Sequence, residues 1–129
     1  MSEQIKFKIL KHAGNLDQFK AGDTIFKKGD AGETMFVVAE GTVDIVVDGK
    51  VVDQLTEGDL FGEMSLIDKQ VRSADAVAGT DCALVTIDEK RFLYMTDHTP
   101  RFALQVMRLV ALRLRERMAD LERLRGDSE

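Results

Sequence analysis

The sequence predicts a small antiparallel β-barrel or sandwich followed by two helices. Three observations carry this. Glycines punctuate the first half at Gly22, Gly29, Gly32, Gly41, Gly49, Gly58 and Gly62, with short apolar or alternating runs between them. Val43, Ile45 and Val47 alternate with Asp44, Val46 and Asp48, the period of a strand with one buried face. From Asp88 the spacing becomes helical.

In order, the amino end comes first. Ile5, Phe7 and Ile9 alternate with lysines, which reads as a strand or as a short helix, so residues 1–16 form an element at the barrel's edge. The runs 24–26, 35–39, 42–47 and 51–55 read as strands. Asp48-Gly49 between two valine-rich runs predicts a hairpin, because both residues tolerate positive φ. Gly22-Asp23, Gly29-Asp30 and Gly58-Asp59 repeat one turn chemistry. Strand character returns at 74–78 and 83–87, where the single cysteine, Cys82, reads as a buried structural thiol. Asp88 is placed to cap a short helix over 88–95. Thr99-Pro100 starts a long helix that runs to Arg125 and stops at Gly126.

A chain of 129 residues fits one domain, with the barrel at 17–99 and the long helix at 100–125. With 44% hydrophobic and 32% charged residues it reads as globular rather than disordered. No apolar run is long enough for a membrane span, and the first residues lack a signal peptide's apolar core, so the expected location is cytoplasmic. Net charge is −5; residues 101–125 carry seven arginines against three carboxylates, +4, which leaves −9 on the rest. An acidic body argues against broad nucleic-acid binding. An anionic ligand would have to be attracted locally.

The segment Phe61-Gly62-Glu63-Met64-Ser65-Leu66-Ile67, followed by Arg72-Ser73-Ala74, supplies that attraction. Gly62 lets backbone approach a ligand, and the residues after it can start a short helix whose free N–H groups favour a phosphate. Glu63 offers two acceptors suited to a sugar hydroxyl. Arg72 offers a planar fork that matches two phosphate oxygens. The plain alternative is a structural ion pair between Glu63 and Arg72 across a turn.

Taken with Gly22-Asp23-Thr24-Ile25-Phe26, Gly29-Asp30, Met35-Phe36-Val37-Val38, Gly41 and Gly58-Asp59, this segment resembles the cyclic nucleotide-binding domain. That family includes the bacterial catabolite activator protein, regulatory subunits of cyclic-nucleotide-dependent kinases and gated channels. The resemblance spans roughly residues 17–117. It implies an eight-stranded jelly-roll barrel, a double-stranded β-helix, with two helices after it, the second acting as lid or dimer interface. It makes residues 61–74 a phosphate-binding cassette for cAMP or cGMP as regulatory ligand. Glu63 would then hold the ribose 2′-hydroxyl and Arg72 the cyclic phosphate. Backbone amides at residues 63–65 (Glu63, Met64 and Ser65) and at Ala74 would complete the phosphate site. Ser73 would lie beside phosphate and base without fixing which base. Phe61 reads as core beneath the pocket.

Three residues depart from the family pattern. Val71 stands where proline is frequent, which loosens the loop, and Ser65 replaces a common alanine. Asp75 stands where a neutral residue is usual; facing the pocket at about 6 Å it would oppose a phosphate by about 2–3 kcal/mol.

On the long helix, Phe102, Val106, Leu109 and Arg113 share one face, the first three placed to pack on the barrel or cap the ligand. Ala103, Met107, Val110, Leu114, Arg117, Leu121 and Leu124 form a short heptad pattern that Arg117 interrupts, and the helix arginines read as its solvated face. A homodimer through this helix, or a protein effector on it, is expected. Catalysis finds no support: there is no Ser-His-Asp set, metal-ligand cluster or Walker loop, so neither an enzyme nor a metal site is expected. With no helix-turn-helix after the long helix, direct DNA binding is not expected. The expected function is a stand-alone cyclic nucleotide-binding regulatory module without a resident cofactor. The alternatives are a ligand-independent interaction module with a degenerate pocket, or a transcription regulator working through a separate DNA-binding partner.

Overall fold

The computed structural model describes residues 16–127, so the amino-terminal element expected at 1–16 lies outside the described residues except for Leu16. Eight strands come first: β1 (Leu16–Phe19), β2 (Thr24–Phe26), β3 (Thr34–Glu40), β4 (Val43–Val47), β5 (Lys50–Leu55), β6 (Leu60–Phe61), β7 (Asp75–Ala78) and β8 (Cys82–Asp88). A short helix, α1 (Glu63–Ile67), interrupts them between β6 and β7, and α2 (Glu89–His98) and α3 (Pro100–Asp127) follow. The strands form two four-stranded sheets, ordered β1-β8-β3-β6 and β2-β7-β4-β5, with every pair antiparallel. This is the expected jelly-roll-like architecture with its long carboxy-terminal helix.

Strands β3 and β8 have partners on both faces. Phe36, Val38, Cys82 and Leu84 point between the sheets and join Val43, Leu55, Phe61, Ala76 and Ala78. Met35, Val37, Ala39, Ala83, Val85 and Ile87 point outward and join Met95, Phe102, Val106 and Leu109 from the two helices. Two covered faces explain why 35–39 is an unbroken apolar run, whereas β4, with one covered face, alternates. Burying each of Phe102, Val106 and Leu109 contributes roughly 1.5–3 kcal/mol, which holds the first half of α3 on the sheet.

The turns follow the chemistry read from sequence. Asp48 and Gly49 both take positive φ, at 51° and 78°, and join β4 to β5. The three Gly-Asp turns are one structure built three times. In each, the aspartate N–H donates to the carbonyl three residues back, and its carboxylate accepts from that residue's N–H: Lys20, Lys27 and Thr56. The glycine N–H and aspartate carbonyl then bridge a residue of another segment: Ala78, Arg72 and Val38 respectively.

Helix α2 begins as expected, with Asp88 Oδ1 accepting from Arg91 N at 2.8 Å. It runs to His98 rather than Met95, because only Thr99 is pushed out of helical geometry (φ −137°, ψ 79°) by the proline that follows. Helix α3 passes through Gly126 to Asp127; glycine permits a stop there without forcing one. The heptad frame also differs from the expected one. Val110 packs on the barrel cluster, and the exposed seam is Leu104, Met107, Ala111, Leu114, Met118 and Leu121, which steps by three and four with no arginine in it. Among the described residues no helix is long and apolar enough to cross a membrane.

Candidate functional site

Everything between β6 and β7 is short connection, yet it carries three buried polar side chains: Glu63, Ser65 and Arg72. Burying charge is costly unless it is paired and hydrogen-bonded, so their partners matter. Phe61 ends β6 inside the inter-sheet core, stacked on Phe36 with centroids 5.1 Å apart, beneath the site. Gly62 takes φ 76°, a left-handed conformation that turns the chain directly into α1. Met64 points out at 41% exposure, Ser73 is exposed and Ala74 half-buried.

Arg72 is held at both ends. Its backbone is bridged by the second Gly-Asp turn: Gly29 N donates to Arg72 O at 2.7 Å, and Arg72 N to Asp30 O at 2.9 Å. Its guanidinium donates to Gly62 O at 2.9 Å and to Thr34 Oγ1 at 3.1 Å, and lies over the Phe26 ring at 4.3 Å from its centroid. Two of five N–H groups are given to the protein, which leaves donors for an anion. Burial pulls the guanidinium below its ordinary pKa, while Asp30 and then Glu63 act in the opposite sense.

Asp75 is not among those carboxylates. Its Oδ1 accepts from Lys28 N at 2.7 Å, so it braces the same turn that holds Arg72.

Glu63 is paired, but not with Arg72. Its Oε1 accepts from Arg113 of α3, whose second terminal nitrogen donates to Leu60 O at 2.7 Å. The ion pair that Glu63 makes is therefore with Arg113, across 50 residues, and not with Arg72 across a turn. Arg113 also walls a cavity of about 130 Å³ between β5 and α3, with Asp53, Leu109 and Glu116.

The structure therefore gathers Gly62, Glu63, Ser65 and Arg72, sets Phe61 below them, and leaves Met64 and Ser73 outward. Sequence reasoning missed Phe26, Thr34 and Arg113. The Gly29-Asp30 turn was a signal for the first two, since it lies between them. Arg113 was placed on the face of Phe102, Val106 and Leu109 but was grouped with the solvated arginines; that face turns toward the barrel. Chemically, the site holds a buried arginine with donors that the protein does not use and, near it, a buried carboxylate paired with Arg113.

Comparison with known proteins identifies the family. The family described as "Cyclic nucleotide-binding domain" matches residues 16–99. The cyclic AMP receptor protein of Thermus thermophilus is 38% identical over 109 residues, 81% of this chain and 50% of that one. The cAMP-dependent protein kinase regulatory subunit of Debaryomyces hansenii is 39% identical over 77 residues, 58% of this chain and 17% of that one. The chain thus spans about half or less of the length of these relatives. The crystal structure of the Thermus thermophilus catabolite activator protein superposes with a TM-score of 0.82 at 32% identity, covering 92% of this chain and 58% of that chain. By fold, by sequence and by the match over residues 16–99, this chain belongs to the cyclic nucleotide-binding domain family.

Proposed function

We propose that the protein is a regulatory module that binds a cyclic nucleotide, cAMP or cGMP, and signals through α3. The observation that carries this is the pairing, on one short connection, of Arg72 with free donors and Glu63 with a carboxylate held by a helix arginine. Arg72 takes the cyclic phosphate, with backbone amides of Glu63, Met64, Ser65 and Ala74 and the flank of Ser73 around it. Glu63 takes the ribose 2′-hydroxyl. To accept it, the carboxylate must share or surrender Arg113. A ligand moves an equilibrium only through its differential affinity for two states, and the Arg113 bond is where such a difference would act on α3. No bond of the ligand is broken in this reading, and the location that goes with it is cytoplasmic.

The partner that fits the exposed seam of α3 is a second copy of this chain. In a parallel, in-register pair, Leu104, Met107, Ala111, Leu114, Met118 and Leu121 occupy the seam, and Arg117 of each helix faces Glu122 of the other.

Calorimetric titration with cAMP and cGMP tests the reading. One saturable site per chain is expected for at least one nucleotide, with Arg72→Ala weakening it about 30- to 100-fold, the loss of charge-assisted bonds to phosphate. A flat titration of the unaltered protein with both nucleotides, or full affinity in Arg72→Ala, would refute it.

A further inference from the structure

The cassette as read from sequence is one segment, residues 61–74. The contacts of Arg72 show that half of what holds its guanidinium comes from residues 26–34. Phe26 closes one face of the planar group at 4.3 Å, and Phe36 stands further off at 5.6 Å. Thr34 Oγ1, from the start of β3, accepts from Nη2 at 3.1 Å, 38 residues away in sequence. Gly32 lies against the group so closely that a Cβ there would stand 2.5 Å from Nε. The intervening Gly29-Asp30 turn bridges the Arg72 backbone. The same turn bridges Ala78 and Val38 elsewhere, where it secures only strands. At Arg72 it also brings a ring, a hydroxyl and a side-chain-free position to three sides of one guanidinium.

We propose that Phe26 and Thr34 are positioning residues for Arg72: they set the guanidinium in its phosphate-clamping orientation before any ligand arrives. This rests on the reading of Arg72 as the phosphate clamp. The physical argument is preorganisation. An arginine side chain loses much rotamer freedom when it grips a ligand, and affinity suffers by that loss. A guanidinium already stacked on a ring and tethered by a hydroxyl has lost that freedom during folding. The hydroxyl acts only as acceptor here, so serine can replace threonine, while valine keeps the shape and removes the acceptor.

The test uses the full chain without ligand and then with it. In nitrogen-edited NMR spectra, assigned with Arg72→Lys, the Arg72 Nε–H signal is expected sharp and slowly exchanging in the unaltered protein and in Thr34→Ser. It is expected broadened or lost in Thr34→Val and in Phe26→Leu. Affinity for cAMP and cGMP should fall together, about tenfold in Thr34→Val, the loss of one bond to a charged group, and about fivefold in Phe26→Leu. Thr34→Ser should return it to within about threefold. An unchanged Arg72 signal in both Thr34→Val and Phe26→Leu overturns the inference, as does a weakening that serine does not rescue. If the unaltered protein binds neither nucleotide, the proposed ligand falls. The Nε–H signal then decides alone: lost in Thr34→Val it supports the positioning role, retained it refutes it.

Discussion

Replacing Arg113 by methionine should destabilise the ligand-free protein in a way that its partner's mutation cancels. Glu63 is 3% exposed at its side chain and Arg113 is 34% exposed. Removing one partner of a fully buried pair costs about 3–5 kcal/mol, because the other charge is left uncompensated. Arg113 is a third exposed and borders the 130 Å³ cavity, so water can reach the vacated site, and about 2 kcal/mol is the better figure for the pair. Loss of the bond to Leu60 O adds about 1 kcal/mol, for a total near 3 kcal/mol. For a domain of this size that is about 10 °C in Tm. Glu63→Gln removes the charge that Arg113→Met would strand, so the double variant should sit within about 1 kcal/mol of the unaltered protein. The assay is urea unfolding of the four proteins at one fixed concentration, since association would otherwise shift apparent stability. The expected coupling is at least about 2 kcal/mol. Additive single effects, or Arg113→Met within about 0.5 kcal/mol of the unaltered protein, would refute the pair's role. A saturating cyclic nucleotide should narrow the Arg113→Met deficit, because the ribose hydroxyl then gives Glu63 a partner.

Three further outcomes follow from the same geometry. Phe102→Ala, at a side chain with no exposure, should cost about 3–5 kcal/mol and loosen α3, read by denaturant unfolding and by faster amide exchange in α3 than in β3. Leu114→Asp with Met118→Asp should convert a dimer to a monomer in sedimentation while leaving circular dichroism unchanged, since both side chains are more than half exposed; an unchanged mass would remove the seam as the interface. The Cys82 thiol is pushed above its ordinary pKa by burial, then by Asp23 and Asp81. It should therefore react with a thiol reagent only as the protein unfolds. The fold keeps the thiol neutral while the unfolded chain releases its proton, so this contribution to stability is whole below the ordinary thiol pKa. It fades as pH rises through the folded value.

Local chemistry was legible in the sequence. Asp48-Gly49 and the three Gly-Asp turns depend on residues within four positions of one another, and they fold as their composition dictates. The gathering of Gly62, Glu63 and Arg72 was legible as well, because they lie within one short stretch. What holds Arg72 and Glu63 in place was not. Thr34 reaches Arg72 across 38 residues and Arg113 reaches Glu63 across 50, and no local pattern encodes a meeting of that kind. The helix seam shows a subtler limit. Two heptad frames in α3 share Met107, Leu114 and Leu121 and differ by one residue at the alternate positions, and the docking of Val110 on the barrel cluster selects between them. Asp75 looked like an intruder near a phosphate because its partner, the Lys28 amide, is 47 residues away.

In the proposed complex a cyclic nucleotide sets its phosphate on Arg72 and its 2′-hydroxyl on Glu63. The most direct measurement compares calorimetric titrations of the unaltered protein with a 3′,5′-cyclic nucleotide and its 2′-deoxy counterpart. Saturable binding of the first is expected, with at least about tenfold weaker binding of the second, since Glu63 would lose its hydroxyl partner. Equal affinity for the two would take the sugar away from Glu63, and a flat titration with both cAMP and cGMP would contradict the account as a whole.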